Sequence, residues 1–312
     1  MGVIKFLIVI LIISAIVGLG YYAYTAYPDA VNNVVQKFGV TNYNSNIPKE
    51  VNATNELLQF IPNMRFKTGH ITYYIQDNCD DSKKLRFLKA LSTIDEQTEV
   101  LSFYESINES ADIVVSCSKN ANQENKNEFV AGEGGPTKYL DLSFYPLILR
   151  GDVILYKTDD CDRPITELHE LFHVFGFEHI NNSKLIMYPY INCEQEINSN
   201  LTTKLKELYS IPNLPEIYFE NVSAQAVNGY INFTMDVLNQ GLDDARNPIL
   251  EVYVDGKNID EEYLETIVVG TGQKFSMKNL KLPSNSVTNI KFNLVLSQEE
   301  YNKDNNLIEL KI

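Results

Sequence analysis

The stretch His169-Glu170-Leu171-Phe172-His173-Val174-Phe175-Gly176-Phe177-Glu178-His179 constrains this chain more than any other feature. On an α-helix His169 and His173 lie four residues apart, so both imidazoles project from one face and can share one metal ion. Glu170 stands beside the first of them, where its carboxylate can reach a water on that ion. Gly176 is the residue expected where a helix stops and turns through a left-handed conformation. The chain can then swing back so that His179 supplies a third nitrogen. Three imidazoles plus one free position make the open site typical of catalytic zinc, whereas structural zinc sites close with four protein ligands. The chain has four histidines, and three of them fall in this window. A helix whose histidines are merely packed or solvated is the bland alternative, and the clustering argues against it.

HELFHVFGFEH resembles the extended zinc-binding motif of the metzincin metallopeptidases. The segment Ile186-Met187-Tyr188-Pro189 resembles the Met-turn of the matrixin branch, where the Met follows the third His by eight residues, as Met187 follows His179. The resemblance covers roughly residues 60 to 210. It implies zinc ligands at His169, His173 and His179, a general base at Glu170, a methionine floor at Met187, and a peptide or protein substrate. It also implies an α+β catalytic domain, a mixed twisted sheet with the active-site helix packed on it.

The departures matter equally. Pro189 stands where the astacin and serralysin branches carry a fifth, tyrosine ligand, so Tyr188 and Tyr190 are expected to line the substrate wall instead, with a plain core role as the alternative. No cysteine precedes Cys79, so the matrixin cysteine switch cannot operate through the N-terminal stalk. His70 is the one remaining histidine and reads as a strand residue without a metal role. The Gly-rich AGEGGP at 131–136, followed by an expected strand at Lys138–Phe144, occupies the place of the cleft loop and edge strand. Gly134, Gly135 and Tyr139 are therefore cleft candidates. There a peptide would add to the sheet through main-chain hydrogen bonds.

Around the motif the pattern is strand, helix, strand, which calls for a crossover connection and a sheet with helices packed on it. His70 to Gln76 reads as a strand. Ser82 to Thr98 reads as an amphipathic helix with Leu85, Phe87, Leu88, Leu91 and Ile94 toward the core. Further strands are expected near Val100–Tyr104, Ala111–Cys117 and Gly151–Lys157, and a helix around Leu201–Tyr209. IPNLP at 211–215 marks a boundary. Beyond it, seven short alternating segments separated by turn residues indicate an antiparallel sandwich. NLPEIYFENVSA, LNQGLDDARNPILEVYVDG and NNLIEL resemble adhesion-related, CARDB-like immunoglobulin-fold domains. The expected organisation is a transmembrane signal-anchor at 1–27, a stalk at 28–60, the peptidase domain at 61–211 and the sandwich at 212–312.

The anchor rests on the unbroken apolar run Phe6 to Gly20 and its tyrosine-rich edge at Tyr21, Tyr22, Tyr24 and Tyr27. Lys5 precedes the run and Asp29 is the first charge after it, so the positive-inside bias places everything beyond Tyr27 outside the cell. A cleaved signal peptide, ending near Gly18-Leu19-Gly20, is the competing reading. Either way the rest of the chain is exported. Cys79, Cys117, Cys161 and Cys193 fit export: they are an even set without a C-x-x-C pair, which suits two disulfides better than a thiolate metal site. Three pairings are possible, with buried free thiols as the bland alternative. Cys79–Cys117 with Cys161–Cys193 is the expected one, since each would join the ends of elements that the fold makes neighbours. A formal charge of −15 argues against nucleic acid as a partner. The function expected is a membrane-anchored zinc endopeptidase acting outside the cell. The rival is a surface adhesion protein whose metal domain is a scaffold and whose sandwich binds a ligand.

Overall fold

The computed structural model describes residues 36–37, 40–42, 59–119, 130–284 and 287–311. The expected anchor at 1–27 and most of the expected stalk lie outside these residues. Among the described residues no helix is long and apolar enough to cross a membrane.

Two short strands, β1 (Gln36–Lys37) and β2 (Val40–Asn42), come first. The first folded unit then begins with β3 (Arg65–Phe66), β4 (His70–Ile75) and helix α1 (Asp81–Thr98). It continues through β5 (Ser102–Glu105), β6 (Ile113–Cys117), β7 (Gly132–Leu140) and β8 (Leu147–Leu155). Helices α2 (Ile165–Val174) and α3 (Ser199–Ser210) close it. The sheet order is β2-β7-β8-β6-β4-β5, with β3 beside β8. Strands β4, β5, β6 and β8 run parallel, and β7 runs antiparallel to β8. Parallel neighbours cannot be joined by a tight turn, and α1 is the crossover that links β4 to β5.

Helix α1 starts where the Asp80 carboxylate accepts the Lys83 N–H, and ends at Glu99 in a left-handed conformation. Its buried face is Phe87, Ala90, Leu91, Ile94 and Thr98. Leu85 and Leu88, expected in the core, remain 69% and 40% exposed. They lie roughly 120° and 60° beyond Leu91 around the helix, off the arc that meets the sheet. Two disulfides form, Cys79–Cys117 and Cys161–Cys193, in the expected pairing.

The cleft strand requires a correction. It was expected at Lys138–Phe144 with the glycines in a preceding loop, but β7 runs from Gly132 to Leu140 and contains them. Glycine weakens a strand on its own. Here the absence of side chains is what lets β7 lie directly on α2, as the contacts at Glu170 described below require.

The second unit holds β9 (Ile217–Val227), β10 (Tyr230–Asn239), β11 (Ile249–Val254) and β12 (Lys257–Tyr263). Strands β13 (Thr271–Lys281), β14 (Asn289–Val295) and β15 (Leu307–Lys311) complete it. They form two sheets, β1-β13-β10-β9 and β12-β11-β14-β15. Alternate residues face the space between the sheets, among them Ile231, Phe233, Met235 and Val237 on β10 and Ile290, Phe292 and Leu294 on β14. The rings of Phe233 and Phe292 meet with centroids 4.7 Å apart. Asn228-Gly229 and Asp255-Gly256 turn the β9–β10 and β11–β12 hairpins, with positive φ at all four residues. Those dipeptides favour the two-residue turn whose twist matches paired strands.

A small cluster of Leu140, Leu142 and Leu147 with Leu242 joins the units, flanked by Tyr145, Val269 and Tyr301. Arg65 ties β3 to the end of α3 and to the segment that leads into the second unit. Its guanidinium donates to the carbonyls of Leu208, Ile211 and Lys67 and to Asn213 Oδ1, and lies 4.7 Å from the centre of the Tyr209 ring. A lysine keeps the charge but not the planar fork. Arg65→Lys is expected to lower stability by about 2 kcal/mol, read as a fall in the denaturant midpoint with unchanged slope; an unchanged midpoint would show the fork to be dispensable.

Candidate metal centre and active site

All ten residues of α2 are buried, so the helix is fixed by what surrounds it. Pro164 at its N-cap offers no side-chain cap. Asp159 substitutes from the preceding loop: its Oδ2 accepts the Thr166 N–H at 3.1 Å and the Thr166 hydroxyl at 2.7 Å. Arg86, reaching across from α1, donates to Asp159, to Glu167 and to the carbonyls of Cys161 and Arg163. At the other end Gly176 takes φ +85. There the Gly176 N–H meets the His173 carbonyl and the Phe177 N–H meets the Phe172 carbonyl, the two bonds of a Schellman stop. This stop redirects the chain toward His179.

The three imidazoles converge. Nε2 of His169 lies 3.0 Å from Nε2 of His173, and Nε2 of His179 lies 3.1 Å from each. His169 Nδ1 faces the Ile186 carbonyl at 2.6 Å and His173 Nδ1 faces the Phe177 carbonyl at 2.7 Å. A carbonyl can only accept, so both protons sit on Nδ1 and both Nε2 lone pairs point inward. Mutually repelling lone pairs at that spacing are what a cation would occupy. Zinc–nitrogen bonds of about 2.0–2.1 Å in a tetrahedron give edges of about 3.3 Å. The donor set therefore fits a single divalent ion, and the orienting carbonyls supply the outer-shell support such ligands use. Burial, and then His179, pulls His169 down to about 4, which keeps it in the neutral form that binds metals.

Glu170 is 6% exposed, on the helix beside the triad. In the metal-free protein burial pushes its carboxyl up to about 8, reinforced by Glu133 and Glu167 and opposed by the Gly134 N–H. A cation held by the histidines would favour its ionised form. Strand β7 lies tight against this residue. A Cβ built on Gly132 would come within 2.8 Å of Glu170 Cγ, and one on Gly134 within 2.2 Å of the Glu170 carbonyl oxygen.

Met187 is fully buried, its carbonyl accepts the Ile180 N–H, and its neighbour Ile186 orients His169. Tyr188 and Tyr190 stack obliquely with ring centroids 5.7 Å apart, and Tyr190 is 58% exposed. Gly135 pairs with Asp152 on β8. Tyr139, toward the other end of β7, packs against the core of the first unit. The pairing of β2 reaches only Lys138–Leu140, leaving the Gly132–Thr137 edge open among the described residues. His70 is exposed in β4, its Nδ1 2.7 Å from Ser102 Oγ.

Sequence reasoning did not single out Glu133, Tyr156, Arg86, Asp159 or Phe60. Burial and then Glu133, which hydrogen-bonds to it, push the Tyr156 phenol up to about 12. An acidic residue shortly before a helix that lacks its own cap was a legible sign for Asp159. Nothing local marked the others.

The matrixin family model matches residues 65–210, the segment that carries the triad. This part of the chain is similar to the matrixins, in line with the resemblance read from the motif. No curated protein matches the chain. Among solved structures, the CARDB domain of a Pyrococcus furiosus protein, in complex with di-metal ions, is 14% identical. That match covers 32% of this chain and 87% of the other, with a TM-score of 0.28. A solution structure described as a cell surface protein domain from Methanosarcina acetivorans is 19% identical, covering 32% of this chain and 90% of that one, with a TM-score of 0.28.

Proposed function

We propose that the matrixin-type domain makes this protein a zinc endopeptidase, anchored in a membrane by residues 1–27 and acting outside the cell. The observation that carries the reading is the meeting of three inward-facing Nε2 atoms within 3.1 Å of one another, on a helix where buried Glu170 directly follows the first ligand. A zinc ion held by His169, His173 and His179 would acidify water and polarise the scissile carbonyl as a Lewis acid. Glu170 takes the proton from the attacking water and returns it to the leaving amine. Its buried position beside the ligands suits that double duty, since a carboxylate shielded from solvent holds and releases a proton near neutral pH more readily than an exposed one.

The open Gly132–Thr137 edge of β7 binds the substrate backbone as an added strand, and Tyr188 and Tyr190 form a wall for its side chains. Met187 floors the metal site. Export is supported by the apolar run at Phe6 to Gly20 behind Lys5 and by two disulfides, which persist in oxidising compartments. Signal-peptide cleavage, giving a secreted form, is the alternative for the N-terminus. The sandwich has no histidine or cysteine with which to do chemistry, and serves binding or spacing at the surface.

The test is incubation of the full chain with a mixed peptide library, with and without a chelator. Cleavage that disappears with chelator and returns with zinc is expected. Peptide binding without any cleavage would overturn the enzyme and favour a surface adhesion protein.

A further inference from the structure

The segment matched by the family model begins at residue 65, yet the metal centre is contacted from before it. Gln59 forms an antiparallel bridge with Phe177. The Phe60 N–H donates to the Gly176 carbonyl at 2.7 Å. Gln59 Nε2 donates to the carbonyls of Met64 and Phe175, at 2.9 and 3.0 Å. The Phe60 ring lies nearly parallel to the imidazole of His173, centroids 5.9 Å apart at an interplanar angle of 17°. Gln59 and Phe60 stood at the end of the expected stalk, and they touch the one turn on which the site depends.

That turn, Phe175 to Phe177, leads from the helix carrying two ligands to the third, and its Phe177 carbonyl also fixes His173 Nδ1. On the helix side it is held by the Schellman bonds. On the far side its carbonyls at 175 and 176 are held by Gln59 and Phe60. The second torsion of a histidine is soft. The hydrogen bond at Nδ1 fixes one edge of the His173 ring, and an aromatic plane alongside one face opposes rotation about that bond.

We propose that Gln59 and Phe60 form a clasp that positions the metal ligands, with Phe60 holding the plane of His173 and the backbone bridge holding the turn that delivers His179. The proposal rests on the reading of the triad as a metal site. These are positioning residues, since their contacts are with the Phe175–Phe177 turn and the His173 ring, through which they act. Their effect is to spare the ligands reorganisation when metal binds, the role that outer-shell partners play elsewhere.

The test uses the full chain with Phe60→Ala, Phe60→Tyr and Gln59→Ala. Zinc affinity is read by competition with a chromophoric chelator, the ligand field by visible absorption of the cobalt(II) form, and folding by thermal unfolding without metal. Phe60→Ala is expected to bind zinc about 10-fold more weakly and to alter the cobalt spectrum, and Phe60→Tyr to restore both. Gln59→Ala, which keeps the ring, is expected to weaken zinc in the same direction, so the clasp stays testable if Phe60→Ala does not fold. Parental affinity and spectrum in Phe60→Ala, with only a lower melting temperature, would overturn the proposal and leave Phe60 a packing residue. A parent protein that binds neither metal would overturn the metal-site reading instead.

Discussion

Replacing Glu170 by glutamine is expected to leave zinc bound while kcat for peptide cleavage falls by about 10²- to 10⁴-fold, the usual contribution of a positioned acid–base group. Glutamine has nearly the same shape and can still accept the Gly134 N–H, so β7 and α2 keep their spacing. It cannot take a proton. The three Nε2 donors and the carbonyls that orient them belong to other residues, so metal content by elemental analysis should match the parent. Turnover equal to the parent in a metal-loaded, purified variant would remove Glu170 from the chemistry.

The same substitution has a second signature in the metal-free protein. Glu170 has its folded pKa raised from 4.5 to about 8, burial being the largest cause. An acid shifted upward contributes stability that is fully present below its unfolded value and lost as pH rises through its folded value. The metal-free parent should therefore lose stability between about pH 4.5 and 8, and Glu170→Gln should remove that share of the decline. Chemical denaturation across this range in chelator would show it; parallel pH profiles for the two proteins would mean that Glu170 ionises freely in the fold.

The histidine cluster was legible in the sequence because helical spacing and a helix-stopping glycine are local rules. The turn at Gly176, the convergence of the rings and the seven strands of the second unit follow from such rules. The cysteine pairing was legible because it joined neighbouring elements. What escaped was set by contacts remote in sequence. Arg86 meets Asp159 and Glu167 across separations of 73 and 81 residues, so no window of sequence contains the fork that fixes the start of α2. Leu85 and Leu88 looked like core because their neighbours were, and only the line along which α1 meets the sheet decides between them. Phe60 sat in a polar, weakly periodic stretch and takes its role from a turn 116 residues from its neighbour Gln59. The start of β7 was misplaced because glycine argues against strand wherever intrinsic propensity is the only guide. Tertiary contact overrode it.

Those glycines give the second large effect. In Gly134→Ala the new methyl would lie 2.2 Å from the Glu170 carbonyl oxygen and 2.8 Å from the carbonyl carbon and Cα. All three are backbone atoms of a helix buried along its whole length, so none can move without shifting α2 and the two metal ligands it carries. Overpacking of a closed core costs about 1–3 kcal/mol, occasionally more, and here the obstacle cannot rotate away; a loss of about 3 kcal/mol or more is expected. Gly132→Ala meets softer neighbours. Its methyl would approach Glu170 Cγ at 2.8 Å, Oε1 at 3.0 Å and Cδ at 3.1 Å, all in a side chain that can turn aside. The fold should survive with a loss of about 1 kcal/mol, but the carboxylate leaves its position beside the ligands, and a misplacement of about 1 Å lowers kcat/KM by about 10²-fold. The two alanines thus separate stability from catalysis within a single strand. Thermal unfolding and peptide cleavage on both variants decide the matter: a Gly134→Ala protein as stable as the parent would mean that β7 does not lie on α2, and a fully active Gly132→Ala protein would mean that the position of the Glu170 carboxylate is not what the reaction requires.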